Sequence, residues 1–179
     1  MFDRLRKYFG ITKINIRKDI DPNYTERVKA IDWASYHTAY GQADKVPEQL
    51  LNLASPDKEK AMNATHDLWC GLCHQHVQIG TAALPAIPFI LEVLDVASEE
   101  LSVEILDILL GFALGSNRQR SIDFQKACGH SAPLSEPEWI AKTRSLLIEQ
   151  RERFEKLKAH KNPDIKYFSV RILEEISAN

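Results

Sequence analysis

Apolar residues recur along this chain every three or four positions, and no segment alternates apolar and polar at a period of two. Val28, Ile31, Trp33 and Tyr36 follow the helical rhythm after Thr25. A short helix capped by Asp44 then carries Val46, Leu50, Leu51 and Leu53. The next opens at Ser55-Pro56-Asp57-Lys58-Glu59, with serine as N-cap, proline in the first helical position and early acids against the helix dipole. It runs through Ala61, Ala64, Leu68 and Trp69 to about Cys73. Another spans about Ala82 to Val96, with Pro85 and Pro88 confined to its opening turns. Ser98-Glu99-Glu100 caps the following one, which continues to Gly115. Residues 117–137 form a long connection with room for one helical turn around Ile122–Ala127. Ser135-Glu136-Pro137-Glu138 opens a long helix that reaches about Lys158, and Asn162-Pro163-Asp164 opens the last, ending near Ser177. The pattern predicts an all-α fold without strands.

These helices pair. Those opening near 44, 82 and 138 are each followed, after a short break, by helices opening near 56, 99 and 163. Starts spaced by roughly 40 residues, and by more where the 117–137 segment intervenes, are what HEAT or armadillo helix-pair repeats show, and such repeats bury their apolar faces only by stacking. The expected architecture is therefore a right-handed α-α superhelix forming a single domain over residues 1–179. Residues 1–22 would be an N-terminal capping segment, and 138–179 a C-terminal helix pair after the 117–137 connection. The helix from 99 to 115 fits an inner position. Leu101, Val103, Ile105, Leu106, Ile108, Leu109, Leu110, Phe112 and Leu114 wrap most of its circumference, as expected of a helix flanked on several sides. Glu100, Glu104 and Asp107 keep to one narrow stripe, continued by Gly111.

A set of landmarks carries a family likeness: Ile31-Asp32-Trp33, Ala39-Tyr40-Gly41 with Val46-Pro47, Ser55-Pro56-Asp57, Leu68-Trp69, His74-Gln75, Ala86-Ile87-Pro88-Phe89-Ile90-Leu91 and Ala113-Leu114-Gly115. In this order and approximate spacing, across about residues 31–116, the chain resembles bacterial HEAT-like repeat proteins, abundant in genomes that carry polymorphic toxins. Asn162-Pro163-Asp164 and Val170-Arg171 extend the likeness more loosely. The family pattern runs from His-Gln directly into Gly-Thr, whereas here His76-Val77-Gln78-Ile79 intervene before Gly80-Thr81. The resemblance implies a superhelical binding module, and several such proteins look like immunity partners that neutralise a co-encoded toxin.

Charge and composition narrow the function classes. The chain is 44% hydrophobic and 27% charged with seven glycines, a globular composition. Its net charge of −2 provides no general attraction to nucleic acid. Residues 1–20 nevertheless hold six Lys/Arg against two Asp/Glu, and Phe2, Leu5 and Phe9 make this stretch a basic amphipathic helix. It either lies on a membrane surface or, the preferred reading, closes the end of a helical stack. The N-terminus lacks the apolar core of roughly 7–15 residues that an export signal needs. No run of about 18 apolar residues predicts a membrane span. Three cysteines make no disulfide framework and favour a reducing compartment. The expected location is the cytoplasm.

Cys70-Gly71-Leu72-Cys73-His74 spells the C-x-x-C-H of c-type haem attachment, but no export signal accompanies it and methionine ligands are scarce. A structural zinc site would join Cys70, Cys73 and His74 or His76 to Cys128 and His130. That requires the 117–137 segment to fold back, and the competing reading makes the cysteines small buried residues and the histidines local hydrogen-bonders. A thioredoxin-like role lacks its βαβ unit. The expectation is no metal and no cofactor. A HEAT-like nucleic-acid-binding or alkyl-base DNA glycosylase module is the alternative function, and an acidic rather than basic inner stripe argues against it. The stripe itself, Glu100, Glu104 and Asp107 with Glu92 and Asp95 at the rim, is the candidate partner-binding face, suited to a basic protein such as a toxin domain. The competing reading is an ordinary solvated face. Either way, the chain is expected to act by binding rather than by catalysis.

Overall fold

Four helices begin where a short polar side chain takes up amide hydrogens that the first turn leaves free. Asp57 accepts from Glu59 N at 3.0 Å and Lys60 N at 3.3 Å and starts α3 (Lys58–Leu72). Ser98 accepts from Leu101 N and starts α5 (Glu99–Gly115). Asn117 accepts from Arg120 N at 3.2 Å ahead of α6 (Arg118–Ala127). Asn162 accepts from Asp164 N and Ile165 N and starts α9 (Pro163–Ser177). The others are α1 (Tyr24–Lys29), α2 (Val46–Leu53), α4 (Ala83–Leu94), α7 (Glu138–Glu149) and α8 (Arg151–Leu157). The structure is a computed structural model that describes residues 20–76, 78–129 and 136–178. The N-terminal amphipathic helix expected from Phe2, Leu5 and Phe9 lies outside those residues.

The helices lie in two tiers. Short connections fold α2 against α3, α4 against α5 and α8 against α9, while α5 packs on both α3 and α9, and α4 on both α2 and α7. The α3–α5–α9 tier is parallel, because starts meet starts and ends meet ends. Lys58 opens α3 and bonds Glu100 at the opening of α5. Asn162, which caps α9, bonds Glu99, and Glu175 near its end bonds Asn117 just past the end of α5. As its all-round apolar pattern requires, α5 is the central element: Leu101, Ile105, Leu106, Ile108, Leu109, Phe112 and Ala113 are fully buried. The fold is mostly helical, as expected, and among the described residues no helix is long and apolar enough to cross a membrane.

Several local expectations are corrected. A minimal antiparallel hairpin, β1 (His37–Thr38) with β2 (Gly41–Gln42), stands where no strand was predicted. Two-residue strands are too short to display alternation, and Gly41, which opens β2 straight after the Ala39–Tyr40 turn, takes a φ of +123° that L side chains rarely adopt. The helical rhythm from Thr25 to Tyr36 resolves into α1 and a separate 3-10 turn, Trp33–Ser35. Asp57 rather than Ser55 caps α3; the Ser55 hydroxyl instead accepts from Asp57 N and shapes the approach. Asp44 caps nothing, since α2 is preceded by Lys45 and has no side-chain cap. Residues 117–137 contain the full helix α6 rather than one turn. The helix expected from 138 to 158 breaks at Gln150, whose N–H reaches back to Leu147 O at 3.1 Å. Leu147 and Phe154 remain buried on one face across the break, so apolar spacing alone could not reveal it.

Candidate functional site

The stripe on α5 meets α3 and the turn that follows it. Glu100, at the first turn of α5, pairs with Lys58 at the first turn of α3. Further along α5, Asp107 Oδ1 lies 3.2 Å from His76 Nε2. That nitrogen also receives the indole N–H of Trp69, at 2.9 Å. Between these two rungs, Glu104 is exposed and has neither an ion pair nor a hydrogen bond among the described residues. Partial shielding from water, reinforced by Asp107 and then Glu100, raises its carboxyl above the usual range.

Missing side chains on α5 bring the turn so close. A Cβ added at Gly111 would stand 2.6 Å from Cys73 Sγ and 2.9 Å from His76 Cδ2. One helical turn on, a Cβ at Gly115 would stand 2.5 Å from Ile79 Cγ2. Cys73, His76 and Ile79 therefore lie against two bare positions of α5. Packed there, His76 takes a φ of +57°, an uncommon conformation for a residue with a side chain. Gly80 completes the seat: its bare face abuts the backbone of His37 and Thr38, tying the segment to the hairpin.

The C-x-x-C-H stretch is distributed over unrelated partners. Cys73 is buried against Gly111 and donates to Trp69 O at 3.4 Å; burial pushes its thiol well up, with Asp107 and Cys70 adding to the effect. Cys70, expected on the core side, is only half-buried and lies 3.7 Å from His66 Nε2. His74 bonds the Tyr40 hydroxyl, 34 residues away in sequence, at 2.8 Å rather than a local partner. Cys128 is exposed on the turn after α6, and His130 lies outside the described residues. Among the described residues no three His, Cys, Asp or Glu side chains converge in a metal-binding group.

The five candidate acids separate into two groups. Glu100, Glu104 and Asp107 line the α3–α5 side. Glu92 instead accepts from Arg27 at 2.6 Å and from Asp21 N at 3.0 Å, fastening α1 to α4. Asp95 pairs with Arg153, which also donates to Leu91 O at 3.0 Å and fastens α8 to α4. Arg153 is thereby taken away from the helix-surface pair with Glu149 that its spacing suggests. Sequence reasoning missed Lys58, Trp69 and His76 as neighbours of the stripe. Only the spacing of Lys58, Met62 and Trp69 along one helix face hinted at them, and nothing local said which helix that face would meet. Comparison with protein-family models, curated proteins and solved structures found no match to this chain.

Proposed function

We propose that the chain is a non-catalytic binding module, a short right-handed α-α superhelix of the HEAT kind. Its α3–α5–α9 tier takes a basic protein partner, and the module acts as an immunity protein that neutralises a co-encoded toxin. The helix pairs and the one parallel tier support the architectural part, since the equivalent helices α3, α5 and α9 stack side by side. The observation that carries the functional part is Glu104, a carboxylate without an ion pair among the described residues, held between Glu100 and Asp107. An incoming lysine or arginine relieves that repulsion, and complementary charge speeds encounter and aligns the partners. The same three carboxylates repel a phosphate backbone, which disfavours the nucleic-acid and glycosylase alternative. Glu92 and Asp95 serve the fold in this reading, through α1 and α8.

The test begins with the neighbouring reading frame. A large secreted protein with a variable, basic C-terminal domain is the expected neighbour, and that purified domain should bind this chain with an affinity that falls as salt rises. Reversing charge with Glu100→Lys and Glu104→Lys together should weaken binding by about a hundredfold, two unfavourable contacts of roughly 1.4 kcal/mol each. Binding that ignores both salt and the reversal would overturn the reading. So would salt-sensitive binding to duplex DNA or release of alkylated bases, either of which would establish the alternative.

A further inference from the structure

The three cysteines of this chain occupy different chemical situations. Cys73 is sealed against Gly111 with its thiol held protonated by burial. Cys128 is exposed on a turn. Cys70 lies in the wall of an open surface cleft of about 390 Å³ between the hairpin, the start of α2 and the outer face of α3. One turn before it on α3, His66 sets Nε2 3.7 Å from the Cys70 sulfur. This is a nucleophile with a base in reach, at the i, i+4 spacing that places both on one helix face.

The remaining walls carry charge of both signs. Asp44 and Lys45 come from the start of α2 and Asp67 from α3, while Tyr40 stands at the hairpin end, held by His74. None of Asp44, Lys45 and Asp67 forms an ion pair among the described residues. A cleft with free carboxylates, a free ammonium and a thiol beside a base matches a small molecule bearing an ammonium, a carboxylate and a sulfur electrophile. We infer that Cys70 is a thiolation site for low-molecular-weight zwitterionic disulfides of the cystine type, with His66 as its base.

The exchange is balanced without any other oxidant. The thiol proton passes to His66 Nε2 as Cys70 Sγ attacks one sulfur of the small disulfide. The disulfide bond breaks, the mixed disulfide on Cys70 forms, and the departing thiolate recovers the proton from the imidazolium. One disulfide is consumed, one is made, and one small thiol is released.

The full chain is incubated with cystine, and in parallel with the uncharged bis(2-hydroxyethyl) disulfide, and adducts at each cysteine are followed by peptide mass mapping. Cys128 serves as the internal standard for an unassisted thiol. Relative to Cys128, Cys70 should react several-fold faster with cystine than with the neutral disulfide, and Cys73 should stay free. His66→Gln, an exposed position where far-UV circular dichroism should remain unchanged, should slow Cys70 by about tenfold while leaving Cys128 alone. Lys45→Gln with Asp67→Asn should erase the preference for cystine. An unchanged Cys70 rate in His66→Gln, or the same Cys70-to-Cys128 ratio with both disulfides, would overturn the assignment.

Discussion

Trp69 donates its indole N–H to His76 Nε2 across 2.9 Å, although that same nitrogen lies 3.2 Å from Asp107 Oδ1. Indole only donates, so the bond needs a bare Nε2 with the proton on Nδ1, while an ion pair with Asp107 needs a proton on Nε2. One nitrogen serves one of these partners at a time. His76→Phe removes the acceptor, so the Trp69 indole N–H resonance should shift in its proton NMR spectrum relative to the wild type. An unchanged indole resonance would show that the indole does not depend on His76.

Glu104 makes the stripe locally unfavourable. Its raised carboxyl means that the folded chain holds this proton more tightly than the unfolded chain does. The sign follows: the Glu104 contribution to stability is most favourable below the unfolded carboxyl range and declines as pH rises through the folded one. Glu104→Gln should therefore stabilise the chain at neutral pH by about 0.2–0.5 kcal/mol, the size of one like-charge contact a helical turn apart. It should also flatten the stability profile between acidic and neutral pH, read by urea unfolding. Loss of stability on this substitution would mean that Glu104 has a favourable partner in the folded state.

The three seated glycines should rank by what a methyl group would strike. At Gly80 it meets the His37 carbonyl oxygen at 2.4 Å and the Thr38 Cα at 2.9 Å, both backbone. At Gly111 it meets Cys73 Sγ and Cβ and the His76 ring, and at Gly115 chiefly one methyl of Ile79. Denaturant midpoints should fall in the order Gly80→Ala most, Gly111→Ala next and Gly115→Ala least, with Gly111→Ala costing about 1–3 kcal/mol net of the helical preference for alanine. A Gly115→Ala protein less stable than Gly80→Ala would contradict this seating.

The elements that sequence made legible share one property: local signals fix them. Ser98, Asn162 and Pro163 sit beside the helices they start, and the all-round apolar pattern of α5 announces a flanked helix without naming its neighbours. Errors arose where two local signals compete. Ser55-Pro56-Asp57 contains two good caps, and the choice of Asp57 depends on Ser55 being spent on the Asp57 amide. Asn117 was an available cap for α6, but the polar residues that follow carry too little apolar rhythm to draw attention to it. The site was half legible. Three carboxylates on one face of α5 follow from spacing, whereas Lys58, Trp69 and His76 reach them only through tertiary packing. The ion pairs of Glu92 and Asp95 were illegible for the same reason, since their arginine partners lie 65 and 58 residues away in sequence.

His76 rests against Gly111 and Ile79 against Gly115. Those glycines are four residues apart, about 6 Å along the helix axis. Loop and bare helix face are thus two halves of one lock: side chains at both glycines could be accommodated only by expelling the loop.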